Sequence, residues 1–175
     1  MASAKTVLGE VVQLVPVITL ASSFIVSGGV DLERAAPLFV ASAIIAVIIT
    51  GVLMKQKVLL NPILVGTNLW LCLGALAFGI PIPPFADIIG SLQAVGLYVC
   101  TLGVGVVYAA VKPTGYIGMR HPDPRVVRRL SLIMVGLTVT ALIWSFLFIH
   151  NIRLGGGLPF IVLNVTRRIM IRRAR

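Results

Sequence analysis

The chain has 175 residues, of which 58% are hydrophobic and 11% charged, and its mean hydropathy is +1.06. A water-soluble domain carries about 25% charged residues, so this chain lacks the polar groups to cover a solvent-exposed surface. In so apolar a chain the formal net charge of +10 marks topology and contact with anionic lipid headgroups, and not a nucleic-acid surface.

A chain of this length holds about five or six spans of roughly 20 residues with their connectors. The expected fold is all-α: a single transmembrane domain over residues 1–175, with five membrane-spanning helices. A short sixth, re-entrant or interfacial helix follows at the C-terminus.

After a short polar lead carrying Lys5, the first span is expected over residues 11–30. It contains Pro16 and Ser22-Ser23, which a membrane helix tolerates when local bonds re-satisfy the backbone. Glu10 and Gln13 stand at its start, where the helix dipole favours a carboxylate. The loop GGVDLER is slightly acidic, and Pro37 is placed to open the second span, which ends near Met54. Ser42, Ala46 and Thr50 recur at four-residue spacing, a seam of small residues that lets helix backbones approach.

Lys55-Gln56-Lys57 is a tight positive connector. The third span, 58–79, opens with Asn61-Pro62 and carries Thr67 and Asn68. Asn68 falls near the middle of the hydrocarbon, where an amide needs an internal partner. IPIPPFAD, Ile80 to Asp87, reads as a stiff extended loop because its prolines cannot lie in a helix interior. The fourth span, 88–111, includes Gln93 and carries a second ridge of small residues: Thr101, Gly105 and Ala109. Cys72 and Cys100 lie in apolar runs and read as small packing residues.

The connector KPTGYIGMRHPDPRVVRR holds Lys112, Arg120, Arg125, Arg128 and Arg129 against one acid, Asp123. The fifth span follows over 130–149, with Trp144 toward its far end. The last segment is LGGGLPFIVLNV followed by TRRIMIRRAR. Twelve helical residues rise about 18 Å, short of the roughly 30 Å hydrocarbon core. A short or re-entrant sixth element and an amphipathic surface helix both fit.

Lys and Arg collect in cytoplasmic loops. Two spans separate Lys55-Lys57 from the Lys112–Arg129 connector, so both lie on one side, and that side is expected to be cytoplasmic. The N-terminus is then cytoplasmic too. A cytoplasmic C-terminus requires the last segment to return across or into the membrane. The positive residues Lys112, Arg120, Arg125, Arg128, Arg129, Arg167, Arg168, Arg172 and Arg173 are the candidate contacts to anionic headgroups.

No acid lies deep in an expected span, so a proton-driven mechanism has little support. His121 and His150 sit on separate connectors, and the sequence holds no HExxH, CxxC or paired catalytic carboxylates. No catalytic residue, metal site or cofactor is expected.

The segments QLVPVITL, PLFVASAIIAVIITGVLMKQK, NPILVGTNLWLCLGALAFG, KPTGYIG and RRLSLIMVGLTVTALIWSFLFIHN together resemble the bacterial intracellular septation protein A family of small inner-membrane proteins. The final region, GGGLPFIVLN followed by arginines, and the loop PIPPFAD depart from that pattern. The resemblance implies a non-enzymatic inner-membrane protein of the cell envelope, acting through helix packing and contacts with other membrane proteins or further copies of itself. It transfers no site residues.

Two other classes compete. A small transporter or channel for a polar or anionic solute would line its path with Asn68, Thr67, Gln93, Thr101 and Thr140. An enzyme or cofactor carrier at the headgroup layer would grip a phosphate with the basic connector.

Overall fold

The computed structural model describes residues 12–19, 32–80, 83–151 and 153–174. Among them every regular element is helical. The elements are α1 (Leu32–Lys55), α2 (Pro62–Gly79), α3 (Pro83–Val111), α4 (Pro124–Leu147), a π-helical turn (Arg153–Gly157) and α5 (Leu158–Arg173). Five segments are long and apolar enough to cross a membrane: Pro37–Lys55, Pro62–Gly79, Pro84–Val111, Pro124–Leu147 and Arg153–Arg173. This is the expected all-α, multi-pass architecture. Of the expected first span only 12–19 is described, helical over 15–19 with Gln13 and Pro16 buried. Its remainder lies outside the described residues, as do Lys5, Glu10, Ser22, Ser23 and Asp31.

Two proline positions differ from expectation. Helix α1 begins at Leu32, so Pro37 lies inside it and does not open it. The proline removes one backbone bond, to the carbonyl of residue 33, in a charged lead where polar surroundings can replace it. The expected loop Ile80–Asp87 is shorter, because α3 already starts at Pro83. Pro83 and Pro84 occupy a first turn whose N–H groups would have no helical partner in any case. The true break in α3 comes later, at Gln93, whose φ of 42° and ψ of −123° leave the helical region.

The chain divides into two compact units, one within residues 1–60 and 67–91, the other within 61–66 and 92–175. In the first, α1 and the body of α2 form a hairpin. Lys57, at φ 55°, closes its turn in the left-handed region, and Val58 N–H bonds the Leu53 carbonyl at 3.0 Å. The Phe39 ring lies where a side chain at Gly74 would sit and stacks obliquely on Phe78 at 5.4 Å. The seam read from Ser42, Ala46 and Thr50 is a packing face: Ser42 and Ala46 are buried, and Thr50 meets Asn68 of α2.

In the second unit the core gathers Ile63, Tyr98, Tyr116, Ile117, Met134 and Leu163, among others. Two glycines set the spacing. A methyl group at Gly66 would fall on the Thr101 backbone, and one at Gly105 would meet the Tyr116 ring at 2.6 Å. Helix α4 buries Val127, Ser131, Met134, Thr138, Ala141 and Ser145. That alternating three- and four-residue spacing is the seam of closely packed near-parallel helices.

The last element is longer than the expected twelve residues. The π-helical turn and α5 run on through the arginines as 21 residues, about 32 Å. Arginine is a good helix former whose stem can lie along apolar surface. At its start, Tyr98 Oη donates to the Gly156 carbonyl, and Trp144 Nε1 donates to the Leu154 carbonyl at 3.0 Å. At its end, Met170, Ile171 and Ala174 pack on the core that contains Tyr116, Ile117 and Val127. Helix α5 therefore runs back along α4 to the end where α4 began.

Candidate functional site

The site grows out of the connector between α3 and α4. Two of its glycines, Gly115 (φ 57°) and Gly118 (φ 65°), adopt the left-handed conformation that glycine reaches without strain. They fold Lys112–Met119 into a tight double turn, with Gly115 N–H bonding Lys112 O at 2.9 Å and Met119 N–H bonding Thr114 O at 3.2 Å. The turn drives Tyr116 and Ile117 into the core, each with 0% of its surface exposed. The middle of this connector is a plug, and only its flanks carry charge outward.

Two helices hold the plug through polar bonds. Tyr116 Oη and Thr138 Oγ1 of α4 lie 2.8 Å apart, and Thr138 Oγ1 also donates to the Met134 carbonyl at 2.8 Å. Ile117 N–H donates to Ser131 Oγ of α4 at 3.3 Å. Arg167 Nε of α5 donates to the Ile117 carbonyl at 2.9 Å, across 50 residues of sequence. Next to it, Asn61 Nδ2 at the head of α2 donates to Asn164 Oδ1 of α5 at 3.1 Å. Asn61 Oδ1 caps α2 by accepting from Ile63 N–H at 3.2 Å, and Asn164 Nδ2 is bonded to the Phe160 carbonyl at 2.9 Å.

Burial pushes the Tyr116 phenol up to about 12. The Thr138 bond and the positive charge of Arg167 pull the other way, but less strongly. In a low-dielectric pocket the neutral phenol is favoured, so this ring serves as an uncharged hydrogen-bonding group.

Of the candidate headgroup contacts, Lys112, Arg120, Arg125, Arg128, Arg129, Arg168, Arg172 and Arg173 are exposed. Arg167 is the exception, buried with 6% exposure, because its guanidinium faces the plug instead of the surface. The start of α4 is closed locally. Asp123 Oδ1 accepts from Arg125 N–H at 2.8 Å, and His121 Nδ1 accepts from Asp123 N–H at 3.0 Å.

The candidate polar residues within the spans fall in both units, Thr67 and Asn68 in the first and Gln93, Thr101 and Thr140 in the second. Thr101 is buried and bonds its own helix, to the Leu97 carbonyl at 2.7 Å. Gln93 is exposed at the break in α3, and Thr140 is exposed and bonds the Gly136 carbonyl at 3.1 Å. Thr67 is buried. Asn68 is buried too, and its Nδ2 donates to Thr50 Oγ1 at 3.1 Å. Among the described residues, Asn68 Oδ1, Ser42 Oγ and Ser145 Oγ are buried with no hydrogen-bond partner. Cys72 and Cys100 are free thiols, each half-buried.

Sequence reading alone overlooked Ser131, Thr138, Asn164 and the plug. A signal existed: Ser131, Thr138 and Ser145 recur every seven residues on α4, which keeps them on one packed face. No protein-family model, curated protein or solved structure matches the chain.

Proposed function

We propose that this protein is a non-enzymatic, multi-pass component of the bacterial inner membrane that acts through helix packing and contacts with other envelope proteins. The role in septation and envelope maintenance follows from its resemblance to the intracellular septation protein A family. The observation that best supports the packing part is the use made of the polar groups in the second unit. Ser131, Thr138, Asn61, Asn164 and Arg167 bond helix to helix or helix to connector, which leaves a rigid scaffold.

The same bonds support an orientation. The end of α5 and the Lys112–Arg129 connector lie at one end of the second unit, so α4 and α5 carry the chain across and back. The positive-inside preference then puts the connector, the C-terminal arginines and the N-terminus on the cytoplasmic side. In-cell cross-linking followed by co-purification tests the function. Recovery of envelope proteins or of a second copy is the expected outcome. A monomer with no cross-linked neighbour would overturn it.

One observation favours a second reading, a small transporter or channel. Asn68 presents a buried carbonyl oxygen without a partner among the described residues, in the middle of an apolar span. Solute uptake by proteoliposomes that Asn68→Leu abolishes would decide for transport.

A further inference from the structure

Apart from Arg153, the exposed cations of the second unit gather where α4 begins and α5 ends. Arg125, Arg128 and Arg129 lie in the first two turns of α4, and Arg168, Arg172 and Arg173 in the last turns of α5. Arg167 of α5 and Ser131 of α4 both bond Ile117 of the connector, which brings these turns to one end. Asp123 is the one acid among the described residues from Leu92 onward, and its carboxylate already accepts from the free amide of Arg125. So dense a set of like charges draws anions to it.

What lies beside these arginines identifies the anion. One turn along α4 from Arg129 come Leu132 and Ile133, both exposed and apolar. One turn before Arg168 on α5 is Val165, and before it Ile161, also exposed. Each helix therefore presents a guanidinium directly over an apolar stripe. A soluble acidic protein or a nucleic acid offers negative charge but nothing for the stripe. A phospholipid offers both, a phosphate above acyl chains. Guanidinium groups suit phosphate because their paired N–H donors match its oxygens.

We propose that this end of the second unit is a binding surface for anionic phospholipids, with Arg128, Arg129, Arg168 and Arg172 holding the headgroup phosphate and the apolar stripes of α4 and α5 receiving the acyl chains. Arg167 takes no part, because it is turned inward to the connector. The proposal goes beyond the envelope reading and is measured on purified protein, so it stands or falls independently of partner and orientation.

The test is native mass spectrometry of the full chain in detergent, offered equal amounts of phosphatidylglycerol and phosphatidylcholine. The expected result is at least about tenfold preferential retention of phosphatidylglycerol, since each basic residue near an anionic surface adds substantially to binding, with the preference falling as salt is raised. The fourfold variant R128Q/R129Q/R168Q/R172Q should lose that preference, while Arg153→Gln, an exposed cation at the start of the last helical segment, should keep it. Equal retention of the two lipids by the unaltered chain overturns the proposal without recourse to any variant. So does full displacement of the lipid by glycerol phosphate, which would mark a site for free phosphate, or by polyglutamate, which would mark an acidic protein partner.

Discussion

The two units are both helical and apolar, yet they are held in different ways. The α1–α2 hairpin relies on side-chain packing: Phe39 on Gly74 and Phe78, with the amide of Asn68 bonded to Thr50 across the two helices. The second unit ties a loop and the ends of helices together with bonds from Tyr116, Ser131, Asn164 and Arg167. Packing of rings and small residues adjusts when one member changes. A buried polar network does not, because a lost partner leaves a desolvated group behind. Substitutions in the second unit should therefore be felt more strongly.

The largest effect is expected from Arg167→Ala. It removes a charge-assisted bond and leaves the Ile117 carbonyl in a closed core, a loss of about 3 kcal/mol. Unfolding in mixed micelles would register it, and cysteine labelling at Ala174 would show whether α5 still returns to the connector end. Next is a pair of glycines, one from each unit. Gly66→Ala places a methyl on the Thr101 backbone, whereas Gly74→Ala meets the Phe39 ring. A backbone cannot turn aside and a ring can, so the first should cost about 2 kcal/mol and the second about 1 kcal/mol or less. Equal losses would mean that the hairpin is as unyielding as the second unit.

Tyr116 provides a pH test. Its folded-state value is raised to about 12 from an unfolded value near 10. The stabilisation is present in full below about pH 10 and is lost as pH rises through 12, because the unfolded phenol gives up its proton first. Stability should fall over that window by up to about 3 kcal/mol, and Tyr116→Phe should flatten that part of the profile. Smallest is Asn68→Leu, which removes one bond between membrane helices and should shift stability by about 1 kcal/mol or less. A gain in stability would be understandable, because Asn68 Oδ1 is buried without a partner among the described residues.

Much of the helical layout was legible. The positions of α2 and α4, the small-residue seam at Ser42, Ala46 and Thr50, and the tight approach at Gly105 follow from spacing and residue size. The candidate site was less so. Arg167 and Arg168 are adjacent and chemically identical, yet one faces the core and the other the surface. Sequence cannot separate them, because the choice depends on which side of α5 meets a connector about 50 residues away. Tyr116 and Ile117 stand in a loop that composition marks as basic and exposed. Their burial depends on the turns at Gly115 and Gly118 and on the hydroxyls of α4 that receive them.

Apolar content by itself determined the class of the molecule, since a chain with 11% charged residues can satisfy its backbone in lipid only by forming helices or a closed barrel, and these runs have helical length. Tertiary structure alone decided that the last segment is a full-length helix and that Arg167 is a tie and not a lipid contact. The physical reason is the same in both cases. A twelve-residue apolar run is too short to cross unaided, and a guanidinium leaves the surface only when a buried carbonyl such as that of Ile117 is there to meet it.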